Sequence, residues 1–219
     1  MSTYFQNAIV PDASEVEVCD AIEQWHVAQG YQRQSKRLRF DCRHGPDEKR
    51  AFVMSNGRSC IVLCSNGSED AASIRQALNR FPTVVQLWTR DGGWGYRLNE
   101  SGCLTTSYCS KRGLEEKDEA PSKTPSDLAR LSFLCKVPGA LMKLKRIESG
   151  YHLFNGRRCH EFAYALQTPA ALFNFHAVDV ANAGIVERRR ICGWDIQMLA
   201  FQRQSTEGIN CGFGLLIIA

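Results

Sequence analysis

The chain has 219 residues, of which 44% are hydrophobic and 23% charged, and a formal net charge of +4. A chain of this size and composition buries its own core without help from disulfides or structural metals. The charge excludes a strongly basic nucleic-acid scaffold, since so mild an excess does not by itself argue for a polyanionic partner.

The start, "MSTYFQNAIVPDASE", has neither a basic flank nor an apolar core, so no secretory signal is expected there. No apolar run reaches the ~18 residues that a membrane span requires, and the expected location is the cytoplasm. "SEVE", Ser14 to Glu17, has the capping-box form, in which a serine and a glutamate satisfy the free amides of a helix start. Val18, Ile22 and Trp25 follow on one helical face, and Gly30 is a natural stop, which predicts a first helix. "RLRFDC", Arg37 to Cys42, alternates apolar and charged residues as a half-buried strand does. "RAFVMS" and "RSCIVLC" flank Asn56-Gly57, which predicts a hairpin with both turn residues at positive φ. The run from Cys60 to Cys64 is apolar on both faces and suits a central strand. In "SEDAASIRQALNRF", Ser68 can cap a second helix, and Glu69 and Asp70 suit its positive end. Ala71, Ile74, Leu78 and Phe81 share its face, and Pro82 stops it.

"TVVQLWTR" and "WGYRL" read as strands joined at Asp91-Gly92. A two-residue loop there sets Thr89 opposite Trp94, Leu87 opposite Tyr96 and Val85 opposite Leu98, an apolar face expected in the core. On the other face Trp88 lies opposite Gly95, and an aromatic ring covering a strand glycine is a packing device. "NESG" then turns into a third strand, "CLTTSY".

Residues 111–124 are polar, charged and proline-bearing, and read as a linker. "TPSDLARLSFLC" restarts a helix, with Thr124 as cap and Pro125 at its first position. "ALMKLKRIE" suits a short helix, and "CHEFAYALQTP" fits a helix or a strand, with the helix preferred. "AALFNFHAVDV" and "IVERRRICGWDIQMLAF" read as strands, and the apolar end "CGFGLLIIA" suits one more. The expected architecture is α+β, a mainly antiparallel sheet of about five or six strands with the first two helices on one face. Residues 1–110 form the sheet domain, and residues 125–219 either extend that sheet or form a second lobe. "NGRSC" at Asn56 recurs as "NGRRC" at Asn155, but two unrelated turns account for it as well as a duplication does.

None of the common phosphate-loop, dinucleotide, zincin or nucleophile-elbow motifs is present. The ten cysteines (Cys19, Cys42, Cys60, Cys64, Cys103, Cys109, Cys135, Cys159, Cys192 and Cys211) contain no CxxC pair and read as reduced, mostly buried small hydrophobes. Cys159, His160, His176 and Cys192, or Cys42 and His44, have the donor atoms of a metal site but not its paired spacing. No metal and no cofactor are therefore expected. Cys159 beside His160 is the best thiol nucleophile candidate, although catalytic pairs meet in space rather than in sequence. Cys60 and Cys64, in a core strand, would be inert. Arginines cluster at Arg157-Arg158 and at Arg188, Arg189 and Arg190, where they could face phosphates if they shared one surface. Trp88 and the turn tip at Asp91 are left as contact points, because pairing draws Trp94 and Tyr96 into the core.

The run "VVQLWTRDGGWGYRLNESGCLTTSYCS", the acidic linker, "SDLARLSFLC" and "HEFAYALQTP" come in an order that resembles a loose group of bacterial proteins without an assigned activity. The resemblance spans about residues 83–169 and implies a bacterial origin and a compact α+β unit. The reading that follows is a non-catalytic protein-binding module of immunity or adaptor type, its partner another protein and its contacts drawn from Trp88, Asp91, Arg188, Arg189 and Arg190. Two alternatives stand beside it: an enzyme with a dispersed site that includes Cys159, His160 or Asp91, and a nucleic-acid binder using the arginine clusters.

Overall fold

The fold is taken from a computed structural model that describes residues 5–34, 47–64, 68–90, 93–109, 130–131, 139, 188–191 and 194–204. In chain order the elements are β1 (Phe5–Pro11), α1 (Glu15–Ala28), β2 (Tyr31–Arg33), β3 (Glu48–Ser55), β4 (Ser59–Cys64), α2 (Ser68–Leu78), β5 (Thr83–Arg90), β6 (Gly93–Glu100), β7 (Cys103–Cys109), β8 (Arg188–Ile191) and β9 (Trp194–Arg203). The protein is α+β, with these strands in one antiparallel sheet ordered β2-β9-β3-β4-β1-β5-β6-β7 and β8 paired to β9. The sheet is wider than the five or six strands expected because β1 and β2 carry weak sequence signals and because β8 and β9 join it from far along the chain. β9 lies beside β3 over its whole length, while its other edge is shared by β8 and then β2.

The first helix forms as its sequence dictates. Ser14 Oγ accepts the Glu17 N–H at 3.3 Å while Glu17 Oε2 accepts the Ser14 N–H at 2.9 Å, a complete capping box. Gly30, at φ +83, ends it in the left-handed region where a Cβ would be strained. Val18, Cys19, Ala21 and Ile22 are buried on its inner face, and Trp25 packs against the same cluster. From α2, Ile74, Ala77 and Leu78 enter that cluster, followed by Phe81 beyond the helix end. The sheet contributes Ala8 and Val10 of β1, Ala51 and Val53 of β3, Cys60 and Val62 of β4, and Leu199 and Phe201 of β9. Both helices thus cover one face of the sheet, the arrangement that the amphipathic spacing implies. His26 belongs to this packing: its ring stacks on Phe201 at 4.4 Å between centroids, and Nδ1 donates to Ile22 O at 2.8 Å.

The opposite face is buried as well. Ile9, Phe52, Met54, Ile61, Leu63, Val85, Leu87, Tyr96 and Leu98 all lie there and are buried. β1 and β4, at the middle of the sheet, are apolar on both sides for this reason. β1 sets Ala8 between Val62 and Gln86, and Ile9 between Ile61 and Val85. Leu131 is fully buried, and its neighbour Arg130 pairs with Glu100 at the end of β6 at 2.6 Å.

One local expectation is corrected. The β3–β4 hairpin exists, but its last register pair is Ser55 with Cys60, so the loop is longer than Asn56-Gly57. Only Gly57 has positive φ, at +81. Asn56 instead folds its side chain over the turn, and Oδ1 accepts the N–H groups of Arg58 and Ser59, each at 2.9 Å. An Asx-type turn replaces the tight one, because the asparagine side chain supplies the acceptor that the backbone would have had to supply. A tight turn with both residues at positive φ occurs in the β6–β7 hairpin, where Ser101 (φ +50) and Gly102 (φ +76) join Glu100 to Cys103. The strand expected at Arg37–Cys42 and the linker at 111–124 lie outside the described residues, as do the helices and strands expected between 132 and 187 and at the end of the chain.

Candidate interaction surface

The β5–β6 hairpin has the register that its sequence specifies. Thr89 pairs with Trp94, Trp88 with Gly95, Leu87 with Tyr96 and Val85 with Leu98. Alternation along the two strands sends Leu87, Tyr96, Val85 and Leu98 to the buried face opposite the helices, where all are fully buried. Tyr96 stacks on Tyr108 of β7, with centroids 6.0 Å apart. Of Trp94 only the backbone position is described.

Trp88 therefore points to the helix-side face, past the cluster that α1 and α2 close: none of the described side chains of β6 or β7 belongs to it. Its ring lies on Gly95. A Cβ at that position would approach Trp88 Cζ2 most closely, and would stand 2.7 Å from Cε2 and 2.6 Å from the Tyr108 carbonyl oxygen. Glycine is needed here for space. Arg97, two residues on and so on the same face, places its guanidinium carbon 5.2 Å from the Trp88 ring centroid. A cation over an indole at a partly exposed position contributes about 0.5–1 kcal/mol. Trp88 and Arg97 are each partly buried.

The neighbouring row runs Gln86, Arg97 and Ser107 across β5, β6 and β7. Gln86 is buried, and its Oε1 has no hydrogen-bond partner among the described residues. β7 bulges at Thr105: the register passes from Leu98–Thr106 to Asn99–Leu104, and the Thr105 hydroxyl donates to Leu98 O at 3.2 Å.

The described thiols offer little nucleophilic chemistry. Burial pushes Cys19 up to about 12, with Glu15 adding to the effect, and pushes Cys60 up to about 11. Cys60 Sγ donates to Ala13 O at 3.4 Å, and Cys19 Sγ lies 3.4 Å from the Gln197 side-chain amide, so both sit protonated within the fold. Cys103, by contrast, is exposed at the β6–β7 turn. Among the described residues no three histidine, cysteine, aspartate or glutamate side chains gather as a metal-binding group. No helix among them is long and apolar enough to cross a membrane.

Of the residues singled out from sequence, Trp88 has its side chain described. Arg188, Arg189 and Arg190 lie in β8, opposite Gln197, Ile196 and Asp195, so the outer two hold one strand parity and Arg189 the other. Their side chains lie outside the described set, as do Asp91, Cys42, His44, Cys159, His160, His176 and Cys192 altogether. Arg97 was not singled out by sequence reasoning. Its signal was present in the register, which sets it diagonally beside Trp88 once Gly95 is opposite the tryptophan.

Compared with known proteins, the chain matches no family model, no curated sequence and no solved structure.

Proposed function

We propose that this protein is a non-catalytic protein-binding module of immunity or adaptor type, acting in the bacterial cytoplasm, with Trp88 and Arg97 at the centre of its contact surface. The observation that carries the reading is the Trp88 ring fixed on Gly95 beneath the Arg97 guanidinium. Tryptophan and arginine are the side chains that most often dominate binding energy at protein interfaces, and a rigid pair loses little entropy when a partner docks. The hairpin that carries them is anchored from its other face by Tyr96, Leu87 and Leu98, so the patch stands on a stiff platform.

The test is capture of partners from the source cell by the full chain, run beside Arg97→Glu and Trp88→Ala variants whose melting curves show a retained fold. The expected result is a protein captured by the wild type and lost from both variants. Capture that survives both substitutions refutes the surface. Capture of nucleic acid, released by nuclease and falling steeply with salt, refutes the partner class.

A further inference from the structure

The chain contains three Asn-Gly pairs, at Asn56-Gly57, Asn66-Gly67 and Asn155-Gly156. The first lies exposed in the β3–β4 loop. Asn56 Oδ1 accepts the Arg58 and Ser59 N–H groups, both at 2.9 Å. The bond to Arg58 closes a small ring that includes both the Asn56 side-chain amide carbon and the Gly57 nitrogen. The Gly57 N–H donates to Ser55 Oγ at 3.1 Å. A Cβ at residue 57 would meet nothing within 4 Å beyond its two chain neighbours, so this side of the loop is open.

We propose that Asn56 is a site of spontaneous deamidation which the folded turn promotes. The Gly57 nitrogen gives up its proton to solvent base and bonds to Asn56 Cγ. The side-chain oxygen becomes an oxyanion, held by the Arg58 and Ser59 N–H groups. The Cγ–Nδ2 bond then breaks and the nitrogen leaves as ammonia with a proton from solvent, which leaves a succinimide. Water adds to one of the two ring carbonyls and opens it to aspartate or isoaspartate, so the net change is one water consumed and one ammonia released, with no oxidation. The two N–H donors accelerate the reaction because they bind the oxyanion more strongly than the neutral amide oxygen; charge-assisted hydrogen bonds are roughly twice as strong as neutral ones. Aspartate would keep both acceptor bonds. Isoaspartate would lengthen the backbone inside the loop that joins Ser55 to Cys60 and strain that register.

The experiment incubates the folded full-length protein at mildly alkaline pH beside the same protein in denaturant at the same pH. Peptide mapping by mass spectrometry follows Asn56, Asn66 and Asn155 with time, and the denatured sample supplies the rate of an unassisted Asn-Gly pair. The expected result is conversion of Asn56 about tenfold faster in the folded protein than in the denatured one. An Asn56 rate in the folded protein equal to or below the denatured rate overturns the proposal.

Discussion

Replacing Gly95 by alanine tests the packing on which the contact surface rests. The added methyl would meet the Trp88 ring at less than 3 Å and the Tyr108 carbonyl oxygen at 2.6 Å, against the 3.4 Å at which ordinary contact begins. The ring is the end of a side chain and can swing away, but the carbonyl belongs to β7 and moves only with the strand. Overpacking of this kind costs about 1–3 kcal/mol, and the fixed carbonyl places the expected loss at about 2–3 kcal/mol. For a chain of this length that corresponds to a fall in Tm of roughly 4–12 °C. Chemical denaturation with thermal melting measures it. A double-mutant cycle with Trp88→Ala separates the two contacts, since Gly95→Ala should cost less once the ring is gone and still cost something because the carbonyl remains. A Gly95→Ala protein as stable as the wild type would refute the seating of Trp88 on Gly95, and with it the rigid patch.

Ser14→Ala should destabilise the fold by about 1 kcal/mol, read by denaturant titration, since it removes the side-chain half of the α1 capping box. Its backbone bond from Ser14, followed by the Ser14 side-chain bond, holds the Glu17 carboxyl below its ordinary value, so the stabilisation Glu17 contributes is present above about 4.5 and is lost as pH falls through the lowered value. Glu17→Gln should flatten that acid-side slope. Cys19 and Cys60 keep their protons when folded at pH values where the unfolded chain loses them, so the stability they contribute is complete below about 9 and lost as pH rises toward 11 to 12. Equilibrium unfolding across that range should show the decline, and it should shrink in a Cys19→Ala, Cys60→Ala double variant. A thiol reagent at neutral pH should label Cys103 in the native protein well before Cys19 or Cys60. Ser101→Gly should stabilise the protein by about 0.5–1 kcal/mol in denaturant titration, because Ser101 holds φ +50, where glycine carries no steric cost.

What neighbours in the chain decide was legible before any fold was known. The capping box of α1 is a matter of four consecutive residues, and its bonds form as the S-x-x-E pattern requires. The β5–β6 register follows from the two-residue span between Arg90 and Gly93 together with alternation, which has a period of two and leaves no second solution with Tyr96 buried. The seating of Trp88 on Gly95 follows from the same register. At Asn56 local reasoning found the hairpin and missed the turn, because a side-chain acceptor competed successfully with the backbone. The tertiary structure alone decided the rest. β1 is short and mixes Asn7 and Gln6 with apolar residues, and only its position between β4 and β5 makes it central. β9 lies between β2 and β3 although more than a hundred residues separate it from either, a pairing no local pattern encodes. Arg97 stands between the two: the legible β5–β6 register already set it diagonally beside Trp88, and the contact of its guanidinium with the ring gives it a role. Local hydrogen-bonding and alternation act within a few residues and leave a readable trace, whereas the order of strands is fixed by burial of both faces of the sheet at once, which is a property of the whole chain.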